Sequence, residues 1–235
     1  MNKQTEQELL KIVKHNYTAI ADSFVETRKK AIWPELAKLA DQVSDQESVL
    51  DVGCGSGRLF NLFQDRSVNY IGIDNCSQLL TAGQTNFVNS HNKPQFKEID
   101  ILELNQLPQI NFDHIFCVAL LHHLPGERLR IQALRQLKNK AKPGGRIIIT
   151  VWNLWAHHKY RKLIIKFWLL KLLKKNQMDF GDILFDWQDP KIQTYNQRYY
   201  HAFTKKQLAK IAKGAGLKIN QLYQDQYNYY LIAER

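Results

Sequence analysis

The sequence has few cysteines, no long apolar run and no excess of acidic residues, and each deficit narrows what the protein can be. Its three cysteines, Cys54, Cys76 and Cys117, are odd in number and widely spaced, which excludes a disulfide framework and a zinc set. We expect small, reduced side chains, as in a cytoplasmic protein, and no bound metal. No apolar stretch reaches the ~18–20 residues needed to cross a bilayer, and the first residues lack a signal-peptide pattern. We therefore expect no membrane partner.

Basic residues outnumber acidic ones. The 33 Lys and Arg against 22 Asp and Glu give a net charge of +11. Such an excess attracts polyanions, because neutralising phosphates releases counterions. A basic surface without a nucleic-acid partner explains the charge equally well, so the charge alone leaves both interpretations open. With 235 residues, 44% of them hydrophobic, the chain suits one domain with elaborations.

From residue 48 onward, short apolar runs alternate with amphipathic segments. The apolar runs predict strands over residues 48–52, 70–73, 95–99, 112–120 and 146–152. The segments between them predict helices over residues 59–65, 77–88 and 128–140. Repeated βα units of this size predict an α/β fold with a parallel, doubly wound, Rossmann-like sheet.

Further elements flank this core. A helix over residues 5–26 is predicted by the spacing of Leu9, Val13, Tyr17, Ile20 and Phe24, and a second helix by residues 33–43. Near the end, a helix over 204–215 with Thr204 as its N-cap precedes strands over 217–223 and 227–233. We interpret the chain as a single domain with N-terminal helices (1–45), a core (46–152), a helical insert or cap with a substrate segment (153–203) and a closing helix with strands (204–235).

The insert contains a basic amphipathic helix over residues 160–173, in which apolar side chains such as Leu163 and Phe167 alternate with lysines. Three interpretations compete for it: a cap over the active site, a face that binds nucleic acid, and a helix that lies on a membrane surface. We favour a packed cap.

The first βα turn is rich in glycine. It reads Val49-Leu50-Asp51-Val52-Gly53-Cys54-Gly55-Ser56-Gly57. Alternating glycines let the backbone pass close to a ligand where a Cβ would collide. They also predict free backbone N–H groups and a helix N-terminus beside that ligand.

Acidic residues stand where predicted strands end. Asp74 follows the second strand, where a carboxylate can accept both ribose hydroxyls of a nucleoside. Asp100 follows the third strand and can meet an adenine amino group, while Asp51 can hold a methionine end indirectly. Three acids suit a cationic sulfonium nucleoside better than a pyrophosphate. The glycines run G-x-G-x-G, with Arg58 in place of the last glycine of the dinucleotide pattern G-x-G-x-x-G, which argues against an oxidoreductase.

Residues 48–152 resemble the class I S-adenosylmethionine-dependent methyltransferases. The glycine turn, Asp74, Asp100 and Pro143-Gly144-Gly145 each have a counterpart in that family. The resemblance implies a seven-stranded sheet, mostly parallel with its last strand antiparallel, and S-adenosylmethionine as cofactor. The cofactor-binding residues it implies are Asp51, Gly53, Cys54, Gly55, Gly57, Asp74, Asn75, Asp100, Ile101 and Val118.

A narrower resemblance covers most of the chain. Its segments are Tyr17…Ile20-Ala21…Phe24…Thr27-Arg28…Trp33-Pro34, Ala119-Leu120-Leu121-His122-His123-Leu124, Val151-Trp152, Gly181-Asp182-Ile183-Leu184 with Trp187, Arg198-Tyr199-Tyr200-His201-Ala202-Phe203 and Asp225…Asn228-Tyr229-Tyr230. They resemble the tRNA wobble-uridine carboxyl methyltransferases, although Asp186 replaces a common proline and Tyr229 a common tryptophan. The resemblance implies methylation of the carboxylate of 5-carboxymethyluridine in the tRNA anticodon loop. It also implies a small activator protein as a further partner.

Methylation of a carboxylate requires few catalytic groups from the protein. A carboxylate oxygen is already anionic, so its attack on a sulfonium methyl group needs positioning and no general base. The candidates for orienting the substrate are Arg28, His123, Arg198 and His201. Candidates for stacking on a splayed base are Trp152, Trp155, Tyr199 and Tyr200, and those for phosphates are His157, His158, Lys159, Arg161 and Lys162.

Two other functions stay open. One is a methyltransferase that acts on a small metabolite, with residues 153–190 as a lid. The other is a non-catalytic module of the same fold that binds RNA or a partner. The sequence has no Asn/Asp-Pro-Pro-aromatic segment after the fourth strand and no Pro-Cys loop, which argues against methylation of adenine amino groups and of carbon atoms.

Overall fold

The computed structural model describes residues 1–27, 32–188 and 195–235. Within these ranges the chain forms nine strands: β1 (Ser48–Val52), β2 (Asn69–Asp74), β3 (Gln95–Glu98), β4 (Phe112–Val118), β5 (Ala141–Trp152), β6 (Asp182–Gln188), β7 (Tyr195–His201), β8 (Lys218–Gln224) and β9 (Asn228–Glu234). The same ranges contain seven α-helices: α1 (Lys3–Ala19), α2 (Ala21–Thr27), α3 (Pro34–Ala40), α4 (Ser77–Asn86), α5 (Glu127–Lys140), α6 (His158–Leu172) and α7 (Lys205–Gly214).

Seven strands form one sheet in the order β3-β2-β1-β4-β5-β9-β8. The pairs from β3 across to β5 are parallel, whereas β9 runs antiparallel to both β5 and β8. The predicted α/β fold, with a mostly parallel seven-stranded sheet and an antiparallel last strand, is confirmed. The strand order reverses between β1 and β4, and in doubly wound folds a ligand crevice forms at the carboxyl ends of the strands there.

Both faces of the sheet are covered by apolar side chains. Leu50 and Val52 pack with residues of α5 and α7 on one face, whereas Val49 packs with residues of α3 on the other. Side chains alternate along a strand, so Asp51 points to the same face as Val49. There its carboxylate is buried beside Tyr70.

Some elements differ from the prediction. The helix expected over 5–26 is two helices, because the backbone at Ile20 leaves the helical region (φ −109°, ψ 9°). The segment 59–65 forms a short 3-10 turn, Arg58–Leu62, instead of an α-helix. β5 begins before its glycines, since Ala141 pairs with Phe112 at the start of β4. The predicted N-cap is confirmed, because the Thr204 side chain accepts the N–H of Gln207.

The insert is not wholly helical. α6 matches the predicted basic helix, but β6 and β7 pair as an antiparallel hairpin. β6 carries the large apolar side chains of Ile183, Phe185 and Trp187 at alternate positions, which is a strand signal that the helical expectation neglects. Ile183 and Tyr200 of the hairpin pack with Ile164 of α6, and Tyr199 packs with Leu9 of α1. No helix in the described ranges is long and apolar enough to cross a membrane.

Candidate active site

A cleft of about 940 Å³ opens at the carboxyl ends of β1, β2 and β4. Its other walls come from α1, residues 32–36, the start of α6 and the loop before β9. Nine of the predicted cofactor-binding residues line it: Asp51, Gly53, Cys54, Gly55, Asp74, Asn75, Asp100, Ile101 and Val118. Gly57 does not. The volume lies near the upper end of the range of about 300–1,000 Å³ typical of small-molecule sites.

The glycines of the turn are required by the backbone and by packing. Gly53, Gly55 and Gly57 have φ values of 75°, 56° and 74°, a region that side chains other than glycine rarely adopt. A Cβ on Gly53 would lie 2.9 Å from Leu120, and one on Gly57 would lie 2.6 Å from Phe96. The lack of a Cβ at Gly53 and Gly57 therefore lets protein side chains pack close to the turn. Of the three glycines, Gly53 and Gly55 line the cleft and Gly57 does not.

The N–H groups of the turn are already used within the protein. Those of Gly53 and Cys54 donate to the Ile73 carbonyl at 2.8 and 2.9 Å. The N–H of Gly55 donates to the Asp74 carboxylate at 2.9 Å. The expectation of free N–H groups is therefore wrong for these residues. The expected helix N-terminus is also missing, because a 3-10 turn follows them. A pyrophosphate would lack these donors, which agrees with the absence of a dinucleotide pattern.

Asp74 and Asp100 lie at neighbouring strand ends and face the same cleft. Asp74 is held by the Gly55 N–H and by a second backbone N–H at 3.0 Å, and burial raises its pKa. Asn75 donates to one oxygen of Asp100 at 2.6 Å, and the Leu102 N–H donates to the other at 2.8 Å. Both carboxylates are thus oriented by fixed donors. They can accept hydrogen bonds from the hydroxyl and amino groups of a nucleoside.

Asp51 is a buried acid on the cleft wall. The Tyr70 hydroxyl donates to its carboxylate at 2.6 Å. Burial raises the pKa of Asp51 to about 7; the hydrogen bond from Tyr70 opposes this rise and the charge of Asp74 adds to it. The carboxyl group is therefore only partly ionised near neutrality. A cation bound in the cleft would favour its ionised form.

His123 lies at the lip of β4, at the end of the 3-10 turn Leu121–His123, and lines the cleft. The Tyr17 hydroxyl of α1 lies 2.8 Å from His123 Nε2, and their rings pack edge to face at 5.2 Å. The Tyr200 ring of the hairpin is 5.1 Å from the His123 ring and 5.0 Å from Trp152. The N-terminal helix and the hairpin thus converge on one imidazole at the cleft wall.

The structure does not place Arg198 on the cleft wall, in contrast to the expectation that it orients the substrate. Its guanidinium carbon lies 3.5 Å from the centre of the Trp187 ring, and its Nη1 is 3.5 Å from the Tyr200 hydroxyl. Arg198 is therefore connected to the cleft indirectly, through Tyr200 and the cleft residue His123. Arg28, the other predicted arginine, lies outside the described residues.

His201 belongs to a buried cluster of Arg130, Asp182, Tyr199 and His201, which we call the hairpin anchor. Asp182 accepts hydrogen bonds from Tyr199 at 2.8 Å, from His201 Nδ1 at 2.7 Å and from Arg130 at 3.2 Å. Arg130 Nε donates to the Leu124 carbonyl at 2.8 Å, which joins the hairpin to the loop after β4. The structure therefore places His201 behind the cleft, where it holds the hairpin.

The charges of the hairpin anchor are matched. The Arg130 and Asp182 side chains are 4% and 0% exposed. Burial by itself would raise the pKa of Asp182, but His201 and Arg130 outweigh burial and lower the pKa. Burial and the charge of Arg130 lower the pKa of His201, so its imidazole is neutral at pH 7 and donates from Nδ1.

The predicted stacking and phosphate-binding residues separate into two groups. Trp152 and His157 line the cleft, whereas Trp155, Tyr199 and Tyr200 do not. The remaining predicted phosphate-binding residues lie in the first turns of α6, outside the cleft lining: His158, Lys159, Arg161 and Lys162.

Among the cleft residues that belong to no sequence motif, three come from α1 and α6 and carry polar groups. Lys11 and Lys14 of α1 and Tyr160 of α6 all line the cleft, and the two lysines are exposed one helical turn apart. Only the packing of α1 and α6 around the cleft brings them there. The amphipathic pattern of α1 locates its apolar face and says nothing about what its lysines face.

No group of three or more His, Cys, Asp or Glu in the described ranges could hold a metal ion. All three cysteines are free and buried. Burial raises the pKa of Cys117 to about 12, so this residue of β4 stays a thiol.

Comparison with known proteins gives the family. A family model of a methyltransferase domain matches residues 24–222, which include the strand ends and the acids that line the cleft. The chain belongs to this methyltransferase family. The prediction of an enzyme that transfers methyl groups is thereby confirmed, and the non-catalytic module is disfavoured.

Two curated relatives and one solved structure refine the comparison. The methyltransferase is 28% identical over 229 residues to the tRNA (carboxymethyluridine(34)-5-O)-methyltransferase of Schizosaccharomyces pombe, covering 93% of this chain and 94% of that protein. It is 32% identical over 150 residues to the Arabidopsis thaliana protein of the same name, covering 64% of this chain and 35% of that protein. A SAM-dependent methyltransferase from Methanosarcina mazei has the same fold, with a TM-score of 0.68 at 19% identity over 88% of this chain and 99% of that one.

Proposed function

We propose that this methyltransferase transfers the methyl group of S-adenosylmethionine to the carboxylate of 5-carboxymethyluridine at the tRNA wobble position. The observation that carries the proposal is the likeness to the Schizosaccharomyces pombe enzyme over 93% of the chain, which extends beyond the cofactor core into the insert and the closing strands. The cofactor is S-adenosylmethionine, which supplies an electrophilic methyl group on a sulfonium.

The acids at the strand ends would bind the polar groups of the cofactor. Asp74 would accept the ribose hydroxyls, and Asp100, oriented by Asn75, would meet the adenine amino group. Asp51 would face the methionine end, where a positive charge favours its ionised form. Val118 and Ile101 line the same cleft and would pack against the apolar parts of the nucleoside.

The acceptor carboxylate needs orientation and exclusion of water. His123, held by Tyr17, lines the cleft and would donate a hydrogen bond to an anionic acceptor. No group has to remove a proton, because the carboxylate is the nucleophile. Arg28 stays a predicted substrate-orienting residue. Arg198 and His201 would act indirectly, by holding Tyr200 and the hairpin against His123.

The rim of the cleft carries groups that would contact a tRNA substrate. Lys11, Lys14 and His157 line it and can meet phosphates, and Trp152 offers a ring for a splayed base. The net charge of +11 agrees with a polyanionic partner and with a salt-sensitive complex. A small activator protein and a cytoplasmic location stay predictions that accompany this assignment.

The test is transfer of labelled methyl groups from S-adenosylmethionine to total tRNA from cells that cannot make the ester. We expect label in tRNA, and we expect mild base to release it as methanol. tRNA from cells that lack the carboxymethyl group should accept none. Label that resists mild base would contradict an ester, and transfer to a pool of small carboxylic acids but not to tRNA would favour the small-metabolite enzyme.

A pair of variants separates the site from the fold. Asp74→Ala should lose transfer together with affinity for S-adenosylhomocysteine, because it removes the acid that would meet the ribose. The matched control Asp65→Ala changes an exposed acid away from the cleft and should keep both. Equal affinity in the two variants would contradict the assignment of Asp74.

A further inference from the structure

The outer face of α6 exposes a cluster of large apolar side chains. Nine large apolar side chains of the described residues are exposed, and six of them lie here: Ile165, Trp168, Leu169, Leu172, Leu173 and Phe180. They are 43–64% exposed. Ile165, Trp168, Leu169 and Leu172 recur at helical spacing on one face, and the Phe180 ring lies 5.7 Å from the Trp168 ring. We call these six residues the α6 patch. Apolar surface concentrated in this way marks a docking site.

The inner face of the same helix is already packed. Ile164 is buried with Ile183 and Tyr200 of the hairpin, and Phe167 packs beside them. α6 is therefore apolar on both sides, a pattern expected of a helix that is covered on both sides. The domain itself covers only one of them.

Basic residues surround the α6 patch. Seven lie between residues 158 and 178, where there is no Asp or Glu: Lys159, Arg161, Lys162, Lys166, Lys171, Lys174 and Lys175. Lys162, Lys166, Lys174 and Lys175 are exposed alongside the apolar side chains. The occupant of this face must therefore offer both apolar contact and negative charge.

Charge and composition decide between occupants. A second copy of the chain that paired through the same face would bring its seven cations against these seven. RNA has no apolar surface for leucine side chains. Protein interfaces are enriched in arginine and depleted in lysine, whereas six of these seven cations are lysines. An anionic bilayer accepts both features, since lysines reach headgroups while apolar side chains enter the acyl boundary.

We propose that α6 docks the protein on an anionic phospholipid surface. This departs from the expectation of no membrane partner, because that expectation rested on the lack of a membrane-spanning segment. The helix lies in the plane of the headgroups, with the α6 patch inserted and its lysines among the phosphates. The inference does not rest on the proposed function, because it uses no residue of the cleft.

The test is flotation of the whole protein with vesicles in a density gradient. We expect it to float with phosphatidylcholine vesicles that contain about one third phosphatidylglycerol and to stay behind with pure phosphatidylcholine. Raised salt should weaken the binding, because it screens the lysines. Failure to float with the anionic vesicles would overturn the proposal.

Matched variants locate the binding. Leu169→Glu should lower the vesicle-bound fraction at least about tenfold, whereas Ile110→Glu, at an exposed apolar site elsewhere, should leave it unchanged. The double variant Lys162→Glu/Lys166→Glu should release the protein, and Lys3→Glu/Lys93→Glu, with the same change of charge, should not. All variants should keep their melting temperature and their affinity for S-adenosylhomocysteine.

Two further outcomes would overturn the proposal. One is loss of tRNA binding in Leu169→Glu without any vesicle binding by the unaltered protein, which would indicate an RNA face. The other is equal flotation of Leu169→Glu and the unaltered protein, which would place lipid binding elsewhere.

Discussion

Replacing Asp182 by alanine removes the carboxylate at the centre of the hairpin anchor. The Arg130 guanidinium would stay buried without its counter-ion, since its side chain is 4% exposed. Removing one partner of such a buried pair costs about 3–5 kcal/mol, more than the pair itself contributes, because the remaining charge is desolvated and uncompensated. For a domain of this size that corresponds to a fall in Tm of roughly 6–20 °C.

Urea unfolding followed by tryptophan fluorescence measures this loss, and a thermal melt checks it. The control is Lys210→Ala, which breaks the exposed Lys210–Glu127 pair, with 67% and 47% exposed side chains. Surface pairs contribute about 0–1 kcal/mol, so this variant should unfold almost like the unaltered protein. If Asp182→Ala cost no more than Lys210→Ala, the hairpin anchor would not hold the hairpin and the reasoning would be refuted.

The anchor also makes stability depend on pH. The folded state lowers the pKa of both Asp182 and His201, so the unfolded chain binds more protons when acid is added. Stability from His201 should be lost as the pH falls below about 6.5, the ordinary pKa of histidine, and that from Asp182 below about 3.8. Unfolding curves from pH 8 to pH 3 should show both parts of this decline for the unaltered protein. His201→Gln should show a smaller first part; the buried His114 and His122, whose pKa burial also lowers, supply the rest.

Two further predictions concern the cleft. Tyr17→Phe removes the hydroxyl 2.8 Å from His123. It should lower the rate constant of methyl transfer in single-turnover assays by up to about tenfold without changing affinity for S-adenosylhomocysteine. An unchanged rate constant would show that this bond does not orient the imidazole. Asp51, with a pKa raised to about 7, should release protons when a cationic cofactor binds at pH 6. Calorimetry in two buffers with different ionisation enthalpies measures that release, which Asp51→Asn should abolish, and identical heats for the unaltered protein would contradict it.

The cofactor half of the site is readable from the sequence because it is local to the strand ends. The carboxyl ends of parallel strands meet at one edge of the sheet, so Asp51, Asp74 and Asp100 come together once the alternation of strands and helices is recognised. The same reasoning wrongly predicted free backbone N–H groups in the glycine turn. Whether its N–H groups are free depends on the Ile73 carbonyl and the Asp74 carboxylate, which approach only when β1 and β2 pair.

The sequence by itself determined the α/β class, the glycines at positive φ, the acids of the cleft and the basic character of α6, because each follows from local periodicity or from a single backbone position. Tertiary structure alone decided which side chains meet. Tyr17 and His123 are 106 positions apart, and His201 turned towards Asp182 because alternate residues of β7 face opposite sides. The α6 patch likewise became visible only when the fold covered one face of an apolar helix and left the other exposed.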